Sequence, residues 1–584
     1  MAFLLRPVPA SVLLAVVLHL VWVWLVANSG GDLAAQDAWA EFAARHPGSA
    51  YNFSWYGGMH PVSYSVISPY LMAVLGVRTT MVLIGVISAA LLARIVEGCR
   101  GVRRPLLPSL WGAFALACNA GSGRVTFGLG LLFALAVVAL VFTGPPVRLR
   151  YRRLWMPAIV LCSVLATVGS PVAGLFLEVV AAALFLQRRW RIAYAVALPF
   201  PVVVALSAWL FPFQGVQPMP WLSGLIPIGC SAAVYVLSPP EWRTVRIGSV
   251  IYAIGTLATT VLPSQVGLNV ERLALIFGGT VLLAAVDHNR KRPLWRARYL
   301  TAVWLAFAGL ASWQAAKPVV DVVLTTPTAA WTDKGLAPLI HQLQNGDAVR
   351  GRVEVVPVRS HREAAALVPY VNLARGWNRQ ADLDRGELFY DGTLDRHSYQ
   401  AWLKHWAVRY VVLPVEDRLD TGALKEAELV SSGLPYLDEI WSDANWRLFR
   451  VKDPTSLVDP PATVERADQD ELDITVQSAG DVLIKVRYSP WLGLVDAEGK
   501  QVEPPDVLDG GRLTPGEEEG RHARPITPQA DGVVPERSES GRPYVNRHGC
   551  LAQAGDWTRL HAPRAGTYRI TALYQVPRGT PCPE

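Results

Sequence analysis

Charged residues are scarce in this chain. Only 17% of its 584 residues are Asp, Glu, Lys or Arg, whereas 52% are hydrophobic, and the mean hydropathy is +0.27. Typical soluble domains carry about 25% charged residues. The composition therefore argues against the whole chain folding as an ordinary soluble protein.

Cysteine is also rare, with six residues in the chain. No CxxC pair or His/Cys cluster has the spacing of zinc ligands, which argues against a structural zinc site. Cys99, Cys118, Cys162 and Cys230 lie in or beside apolar segments, where a free cysteine behaves as a small hydrophobic residue. Cys550 and Cys582 lie in the C-terminal part, where oxidising conditions permit a disulfide, and we predict that they form one.

The apolar residues come in long runs between Ser11 and about Trp313. Each run is long enough to cross a hydrocarbon core roughly 30 Å thick. The first run, Ser11 to Ala27, resembles a secretory signal, but its length and its bulky Trp22 and Trp24 favour a retained helix. We count about 11 membrane helices.

The formal charge of +7 does not predict nucleic-acid binding, because the basic residues cluster in short loops and cover no single surface. By the positive-inside rule these loops are cytoplasmic. The sequence thus predicts a multi-pass protein of the cell membrane with a cytoplasmic N-terminus and an extracytoplasmic region after Lys317. The loops contain Arg94 with Arg100, Arg103 and Arg104; Arg148, Arg150, Arg152 and Arg153; Arg188, Arg189 and Arg191; Arg243 and Arg246; and the basic residues of 290–298.

Three regions are predicted along the chain. Residues 1–316 form the transmembrane domain, with a first outer loop at 28–77 in which a helix over Asp37–Ala44 precedes an interfacial helix broken by Pro69. Residues 317–455 alternate strands and helices, as in an α/β domain. Residues 456–584 predict a β-sandwich, with a mobile loop near 504–543 that is rich in Pro, Gly and charge.

The first outer loop carries two carboxylates, Asp32 and Asp37, just after the first helix. An enzyme that transfers a sugar from a lipid carrier to a hydroxyl needs such a base, because the acceptor loses a proton as the new bond forms. Asp32 is the first candidate for the base, and Asp37 is its partner or a ligand of a divalent metal. Alternatively, Asp32 is only the N-cap of a short helix.

A cation for the donor phosphate is expected at the outer end of a later helix. Arg272 follows Asn269 and Glu271 at that level, and its bidentate fork suits phosphate. Alternatively, Arg272 extends its side chain to the membrane–water interface or pairs with Glu271. Arg124 is a second candidate for the same role.

His60, Trp55 and Tyr56 of the first outer loop are candidates for substrate binding. His60 would assist the base or contact substrate, although a lone histidine in a loop is more often structural. The aromatic residues would stack on a sugar ring or a prenyl chain, or else form an interfacial belt.

Several of these stretches resemble the YfhO-like membrane proteins of the GT-C glycosyltransferase superfamily. The resemblance implies a polytopic membrane domain followed by outer α/β and β-sandwich regions, and transfer of a sugar from a polyprenyl phosphate to an envelope glycan or glycolipid at the outer bilayer face. It also places the catalytic base on Asp32, with Asp37 beside it. The matching residues are Gly31-Asp32-Leu33 with Gln36, Tyr51 to Met59, Ser68-Pro69-Tyr70, and Val486 to Trp491 with Leu494-Val495-Asp496.

Two other functions stay open from the sequence. A transporter or flippase predicts paired repeats, and no convincing repeat is visible in this chain. A non-catalytic scaffold or receptor is the third possibility, because a fold does not fix a function.

Overall fold

The computed structural model describes residues 6–144, 153–286, 293–415, 417–507, 536–537 and 543–583. Among these, six helical stretches are long and apolar enough to cross a membrane: Pro7–Leu25, Val77–Gly98, Val125–Thr143, Trp190–Leu210, Arg243–Val261 and Gly267–Ala285. Four shorter apolar helices accompany them: Leu106–Gly121, Trp155–Gly169, Pro171–Leu186 and Trp221–Leu237. The chain is a multi-pass membrane protein with a C-terminal region of β-sheets, whereas the count of 11 spans and their orientation stay predictions.

The helices of the first part are labelled in chain order. They are α1 (Pro7–Leu25), α2 (Asp32–Arg45), α3 (Ser68–Leu75), α4 (Val77–Gly98), α5 (Leu106–Gly121), α6 (Val125–Thr143), α7 (Trp155–Gly169), α8 (Pro171–Leu186), α9 (Trp190–Ala197), α10 (Pro199–Leu210), α11 (Trp221–Leu237), α12 (Arg243–Val261), α13 (Arg272–Ala285) and α14 (Pro293–Thr325). Most residues of the basic loops at 148–153 and 290–298 lie outside the described residues or at their margins.

Helix α14 is the longest, with 33 residues. At 1.5 Å per residue it measures about 50 Å, which exceeds a hydrocarbon core of roughly 30 Å. Its C-terminal part carries Lys317 and Asp321 and reaches the outer α/β region, where Arg418 Nη1 donates to the carbonyl of Val323 at 2.9 Å. The helix thus joins the apolar part of the molecule to the outer region.

The two helices of the first outer loop differ from their predictions. Helix α2 begins at Asp32, five residues before the predicted start, because Gly31 adopts φ 60° and ends the preceding turn. Pro69 does not break α3 as predicted. It occupies the first turn, where the missing N–H has no helical partner to lose.

The α/β region contains a four-stranded sheet with the order β1-β2-β4-β3, in which β1 pairs parallel to β2 and the other pairs are antiparallel. Arg375, Glu354 and Glu426 form a buried ion cluster behind it. The strands are β1 (Arg352–Val355), β2 (Val408–Pro414), β3 (Leu437–Ser442) and β4 (Trp446–Val451), and the helices are α15 (Asp333–Asn345), α16 (Glu363–Ala366), α17 (Arg379–Arg385), α18 (Arg396–His405) and α19 (Leu424–Ser431).

The C-terminal region contains two larger sheets, β5-β6-β14-β8 and β12-β13-β7, and a small sheet β10-β11-β9. Side chains of both larger sheets share one hydrophobic core, as in a sandwich. Cys550 and Cys582 are joined by a disulfide. Most of the loop predicted near 504–543 lies outside the described residues. The strands are β5 (Ala462–Ala467), β6 (Glu471–Val476), β7 (Gly480–Arg487), β8 (Gly493–Val495), β9 (Asp506–Val507), β10 (Glu536–Arg537), β11 (Pro543–Val545), β12 (Cys550–Ala554), β13 (Trp557–Ala562) and β14 (Gly566–Thr571).

The first outer loop packs against both outer regions. Trp55 and Tyr56 belong to the core of the α/β region, and Tyr51 and Phe53 belong to the core of the sandwich. The Arg487 amide donates to the carbonyl of Gly57 at 2.8 Å. The loop therefore fixes both outer regions over the ends of the helices.

Candidate functional site

A cavity of about 330 Å³ lies where the ends of the membrane helices meet the α/β region. Its membrane wall comes from the start of α2, the α5–α6 turn, the start of α13 and the end of α14. Its outer wall comes from the α/β region. The charged residues that line it are Asp32, Arg124, Glu271, Arg272, Lys317, Asp321, Arg359 and Arg379.

Asp32 is the most accessible carboxylate of the membrane wall. Its side chain is 39% exposed, and its nearest cation is Arg124, whose Nε lies 4.0 Å from Oδ2. Gly31 is the N-cap of α2 and no side chain caps the helix, so Asp32 does not serve as its N-cap. The carboxylate therefore keeps free lone pairs toward the cavity.

The turn between α5 and α6 presses closely against this helix start. Gly123 adopts φ +71°, and a Cβ atom there would lie 2.9 Å from Leu33 Cγ. On the opposite side, a Cβ on Gly30 would lie 1.8 Å from the carbonyl oxygen of Thr325 at the end of α14. Glycine at these positions lets three chain segments converge on Asp32.

Three basic side chains line the membrane wall, and their ion pairs are long. Arg124 Nη2 lies 3.8 Å from Asp321 Oδ2. Lys317 Nζ lies 3.4 Å from Asp321 Oδ1 and 3.9 Å from Glu271 Oε1. Arg272 lies with its Cζ 4.9 Å from the ring centroid of Phe127, and no ion pair with Glu271 is seen among the described residues. Arg124 and Lys317 can therefore exchange a carboxylate for a phosphate, and Arg272 can bind a phosphate without giving up a carboxylate.

Gln36 and Asn269 also line the cavity, and both hold neighbouring segments in place. The Gln36 side-chain oxygen accepts from the backbone N–H of Thr126 at 3.2 Å and from its hydroxyl at 2.8 Å. Asn269 Nδ2 donates to the side-chain oxygen of Gln217 at 3.4 Å.

Asp37 does not lie beside Asp32 in the cavity, and the predicted role as its partner or as a metal ligand is wrong in this respect. Both carboxylate oxygens are engaged by the guanidinium of Arg78, and Arg362 lies 3.8 Å away. Five residues along a helix rotate a side chain to a different face, which explains the separation. Within the described ranges, no three His, Cys, Asp or Glu side chains converge as metal ligands.

Trp55 and Tyr56, which were predicted to bind substrate, are buried and do not line the cavity. Each side chain is only 1% exposed. Trp55 Nε1 donates to the carbonyl of Ala364 at 3.1 Å, and the Tyr56 hydroxyl donates to the carbonyl of Gly376 at 2.9 Å. The α/β region covers both rings, so neither a sugar nor a prenyl chain reaches them.

His60 is also buried and does not line the cavity. Its Nδ1 donates to the carbonyl of Ala50 at 2.7 Å, and its Nε2 accepts from the hydroxyl of Ser489 at 3.2 Å. Burial lowers the pKa of His60 to about 4, so the ring is neutral near pH 7. The segments around His60 and Ser489 are thus in contact, and they join the first outer loop to the sandwich.

The outer wall consists of residues that the sequence did not single out. His361 stacks on Trp377 with a centroid distance of 3.4 Å and an interplanar angle of 10°. Burial lowers the pKa of His361 to about 3, and the nearby Asp420 opposes that shift. Burial alone would raise the pKa of Asp420, but His361, Arg379 and Arg359 together hold it below its ordinary value.

Lys317 and Asp321 were missed for a different reason. They lie almost 300 residues after Asp32 in the sequence, and only the fold brings them to the same cavity. A signal was present, because the two residues stand at i and i+4 directly after the last apolar run. Opposite charges at that spacing mark an exposed helical face.

Comparisons with known proteins match a family to one region of the chain and find solved structures of low similarity to most of it. A family described as a domain of unknown function, DUF8823, matches residues 459–584. No curated protein matches the sequence. The chain resembles ArnT from Cupriavidus metallidurans in the apo state, with 14% identity and a TM-score of 0.44 over 75% of this chain and 97% of that chain.

Two further solved structures are similar at the same level. The arabinofuranosyltransferase AftD from Mycobacteria has 14% identity and a TM-score of 0.43, over 81% of this chain and 40% of that chain. ArnT from Cupriavidus metallidurans bound to undecaprenyl phosphate has 13% identity and a TM-score of 0.38, over 75% of this chain and 97% of that chain. The specific resemblance to YfhO-like proteins stays a prediction.

Proposed function

We propose that this protein is a membrane glycosyltransferase that moves a sugar from a polyprenyl phosphate to a hydroxyl of an envelope glycan or glycolipid at the extracytoplasmic face. One observation carries the proposal. An accessible carboxylate, Asp32, and three cations, Arg124, Arg272 and Lys317, line the same cavity at the ends of the membrane helices.

In this proposal, Asp32 is the general base. The acceptor oxygen attacks the anomeric carbon of the donor sugar, and Asp32 takes the hydroxyl proton as the new bond forms. The bond between the anomeric carbon and the phosphate oxygen breaks, and its electron pair leaves with the polyprenyl phosphate. This step needs no other reactant.

The cations of the membrane wall bind the phosphate and stabilise the charge that develops on it. The carboxylate partners of Arg124 and Lys317 lie 3.4 to 4.0 Å away, beyond the usual N–H···O distance of about 2.7 to 3.2 Å. A phosphate oxygen offers shorter, charge-assisted hydrogen bonds to the same donors. Stabilisation by groups already in position is a large contribution to catalysis.

The position of the cavity suits a lipid-linked donor. The membrane wall is built from the ends of apolar helices, so a polyprenyl chain can stay in the bilayer while its phosphate reaches Arg272 and Lys317. The outer wall comes from a polar region that faces water. An acceptor glycan would therefore approach from the opposite side of the cavity.

The test compares Asp32→Asn with Asp37→Asn in cells that otherwise lack the protein. Asp37 is the matched control because it lies in the same helix, five residues on, and points away from the cavity. We expect Asp32→Asn to lower the transferred sugar in the envelope glycan by about 10²- to 10⁴-fold, as for loss of a general base. Linkage analysis measures the sugar, and immunoblotting confirms equal amounts of protein in the membrane.

Asp37→Asn should leave transfer within about threefold of the wild type, since asparagine keeps the size of the side chain and one acceptor for Arg78, and position 37 does not line the cavity. Full transfer by Asp32→Asn would remove the assignment of the base. An unchanged envelope glycan in cells without the protein would remove the transferase itself.

A further inference from the structure

Two arginines of the outer wall face the cavity and share one buried counter-ion. Arg359 Nη1 lies 2.8 Å from Asp420 Oδ1, and Arg379 Nη1 lies 3.0 Å from Asp420 Oδ2. The Asp420 side chain is only 2% exposed, whereas Arg359 is 37% and Arg379 24% exposed. The carboxylate thus lies behind the guanidinium groups and not between them and the cavity.

Each of these guanidinium groups uses only one nitrogen. Arg359 Nη1 donates to Asp420 and Thr421, and Arg379 Nη1 donates to Tyr390 and Asp420. Within the described part of the chain, the Nε and Nη2 atoms of both residues have no hydrogen-bond partner. Five N–H donors in a fixed fork are available to a guanidinium, so most of the donors on this wall remain free.

The wall is held rigidly. Trp377 is stacked on His361, and Arg379 Cζ lies 5.0 Å from the Trp377 centroid. His361 adopts φ +51°, a region that non-glycine residues rarely occupy and that the surrounding contacts must maintain. The arginines are therefore positioned before any ligand arrives, which lowers the entropy that binding costs.

The same segment is tied to the candidate base. The carbonyl of Ser360, between Arg359 and His361, accepts the backbone N–H of Gly31 at 2.7 Å. Gly31 immediately precedes Asp32. This backbone hydrogen bond therefore fixes the position of Arg359 and of any group bound to it relative to Asp32.

The lining of the whole cavity also favours more than one anionic group. Five cations, Arg124, Arg272, Lys317, Arg359 and Arg379, line it against three carboxylates, Asp32, Glu271 and Asp321. The membrane wall alone has three of each. The two further cations belong to the outer wall, and their counter-ions, Asp420 and Asp382 (3.9 Å from Arg379 Nη1), do not line the cavity.

We infer that the outer wall is a second oxyanion subsite, in which Arg359 and Arg379 bind a phosphate or carboxylate group of the substrates. This deepens the proposed function, because the first oxyanion is the donor phosphate at Arg272 and Lys317. The second oxyanion has two possible sources. It is either the outer phosphate of a donor with a diphosphate linkage or an acidic group on the acceptor glycan.

Binding measurements on the purified full-length protein in lipid nanodiscs separate these sources. The probes are undecaprenyl phosphate, undecaprenyl diphosphate, an acidic tetrasaccharide (tetragalacturonate) and a neutral tetrasaccharide. The variants are Arg359→Gln and Arg379→Gln, and Arg359→Lys keeps the charge if loss of Arg359 disturbs folding. Arg362→Gln is the matched control, because Arg362 lies in the same segment and does not line the cavity.

We expect each glutamine variant to weaken one acidic probe about tenfold or more, with undecaprenyl phosphate and the Arg362→Gln variant unchanged. Selective loss of the diphosphate assigns the subsite to the donor, and selective loss of the acidic tetrasaccharide assigns it to the acceptor. Equal binding of every probe by the wild type and both variants, at unchanged thermal stability, would overturn the inference.

Failure of the proposed function gives a different pattern. If Arg272→Ala leaves undecaprenyl phosphate binding intact, the donor assignment at the membrane wall fails, whereas the effect of Arg359→Gln on the acidic probes still tests the outer wall.

Discussion

Two stretches of the first outer loop, residues 30–39 and 51–60, look alike in sequence, since both combine glycine, aromatic residues and polar groups. In the structure the two stretches lie in different environments. Asp32 and Gln36 of the first stretch line the cavity, whereas Trp55, Tyr56 and His60 of the second are buried beneath the outer regions. An unusual residue in an outer loop is therefore a site candidate only where no other region covers it.

The difference has a physical origin in what each stretch packs against. The second stretch supplies aromatic side chains to the core of the α/β region, and burying them contributes to folding. The first stretch meets glycine-rich turns and charged helix ends, which leave room for a ligand. Substitutions in the second stretch should thus change stability, and substitutions around the first should change binding and transfer.

The largest expected effect is on stability, from Trp55→Ala. Removal of a fully buried tryptophan typically costs about 3 to 5 kcal/mol, so the midpoint of thermal unfolding of the detergent-purified protein should fall sharply. Tyr56→Phe, which keeps the ring but loses the hydroxyl hydrogen bonds with Gly376 and Asn378, should cost about 1 to 3 kcal/mol. A Trp55→Ala protein with wild-type stability but no donor binding would place Trp55 in the site and contradict the difference between the two stretches.

The next effect is on donor binding, and it compares two arginines of the membrane wall. Arg272→Ala should weaken the binding of undecaprenyl phosphate about ten- to hundredfold, because a charge-assisted hydrogen bond contributes roughly 1.5 to 3 kcal/mol. Arg124→Ala should weaken it less, since Asp32 and Asp321 already hold part of the Arg124 charge. Isothermal titration in nanodiscs measures both, and a greater loss for Arg124→Ala would reverse the assignment.

The smallest effect concerns pH and the buried histidine of the second stretch. Burial lowers the pKa of His60 to about 4, whereas the unfolded ring titrates near about 6.5. The unfolded chain therefore binds more protons than the folded chain between these values, and stability falls as the pH falls from about 6.5 to about 4.

His361 adds a contribution of the same sign, because burial lowers its pKa to about 3. We expect the unfolding midpoint of the wild type to decrease over that pH range, and His60→Gln to show a shallower decrease. A wild-type midpoint that rises toward pH 4 would contradict the buried, neutral state of His60.

Local structure was predictable where a single periodic pattern decides it. Within residues 317–455, strand β2 covers Val408–Pro414, and helix α18 covers Arg396–His405 after a capping box at Asp395. Asp32, Arg124 and Arg272 were identified because they stand at the ends of apolar runs. Sequence periodicity directly reports such positions.

What escaped prediction depends on contacts between distant parts of the chain. Arg359 and Trp377 lie in irregular segments of the α/β region and Arg379 is the first residue of α17, and nothing local marks them as facing a membrane cavity. The burial of Trp55 and Tyr56 likewise depends on Ala364 and Gly376, more than 300 residues away. The burial of the aromatic side chains and the meeting of distant residues at the cavity leave no pattern in a short stretch of sequence.

The most direct test of the central claim is a cryo-electron microscopy map of the protein in nanodiscs with undecaprenyl phosphate. The account predicts that the phosphate lies in the cavity, within hydrogen-bond distance of Arg272 or Lys317, with Asp32 facing the same space. A phosphate held elsewhere, or an Asp32 side chain closed off from the bound lipid, would contradict it.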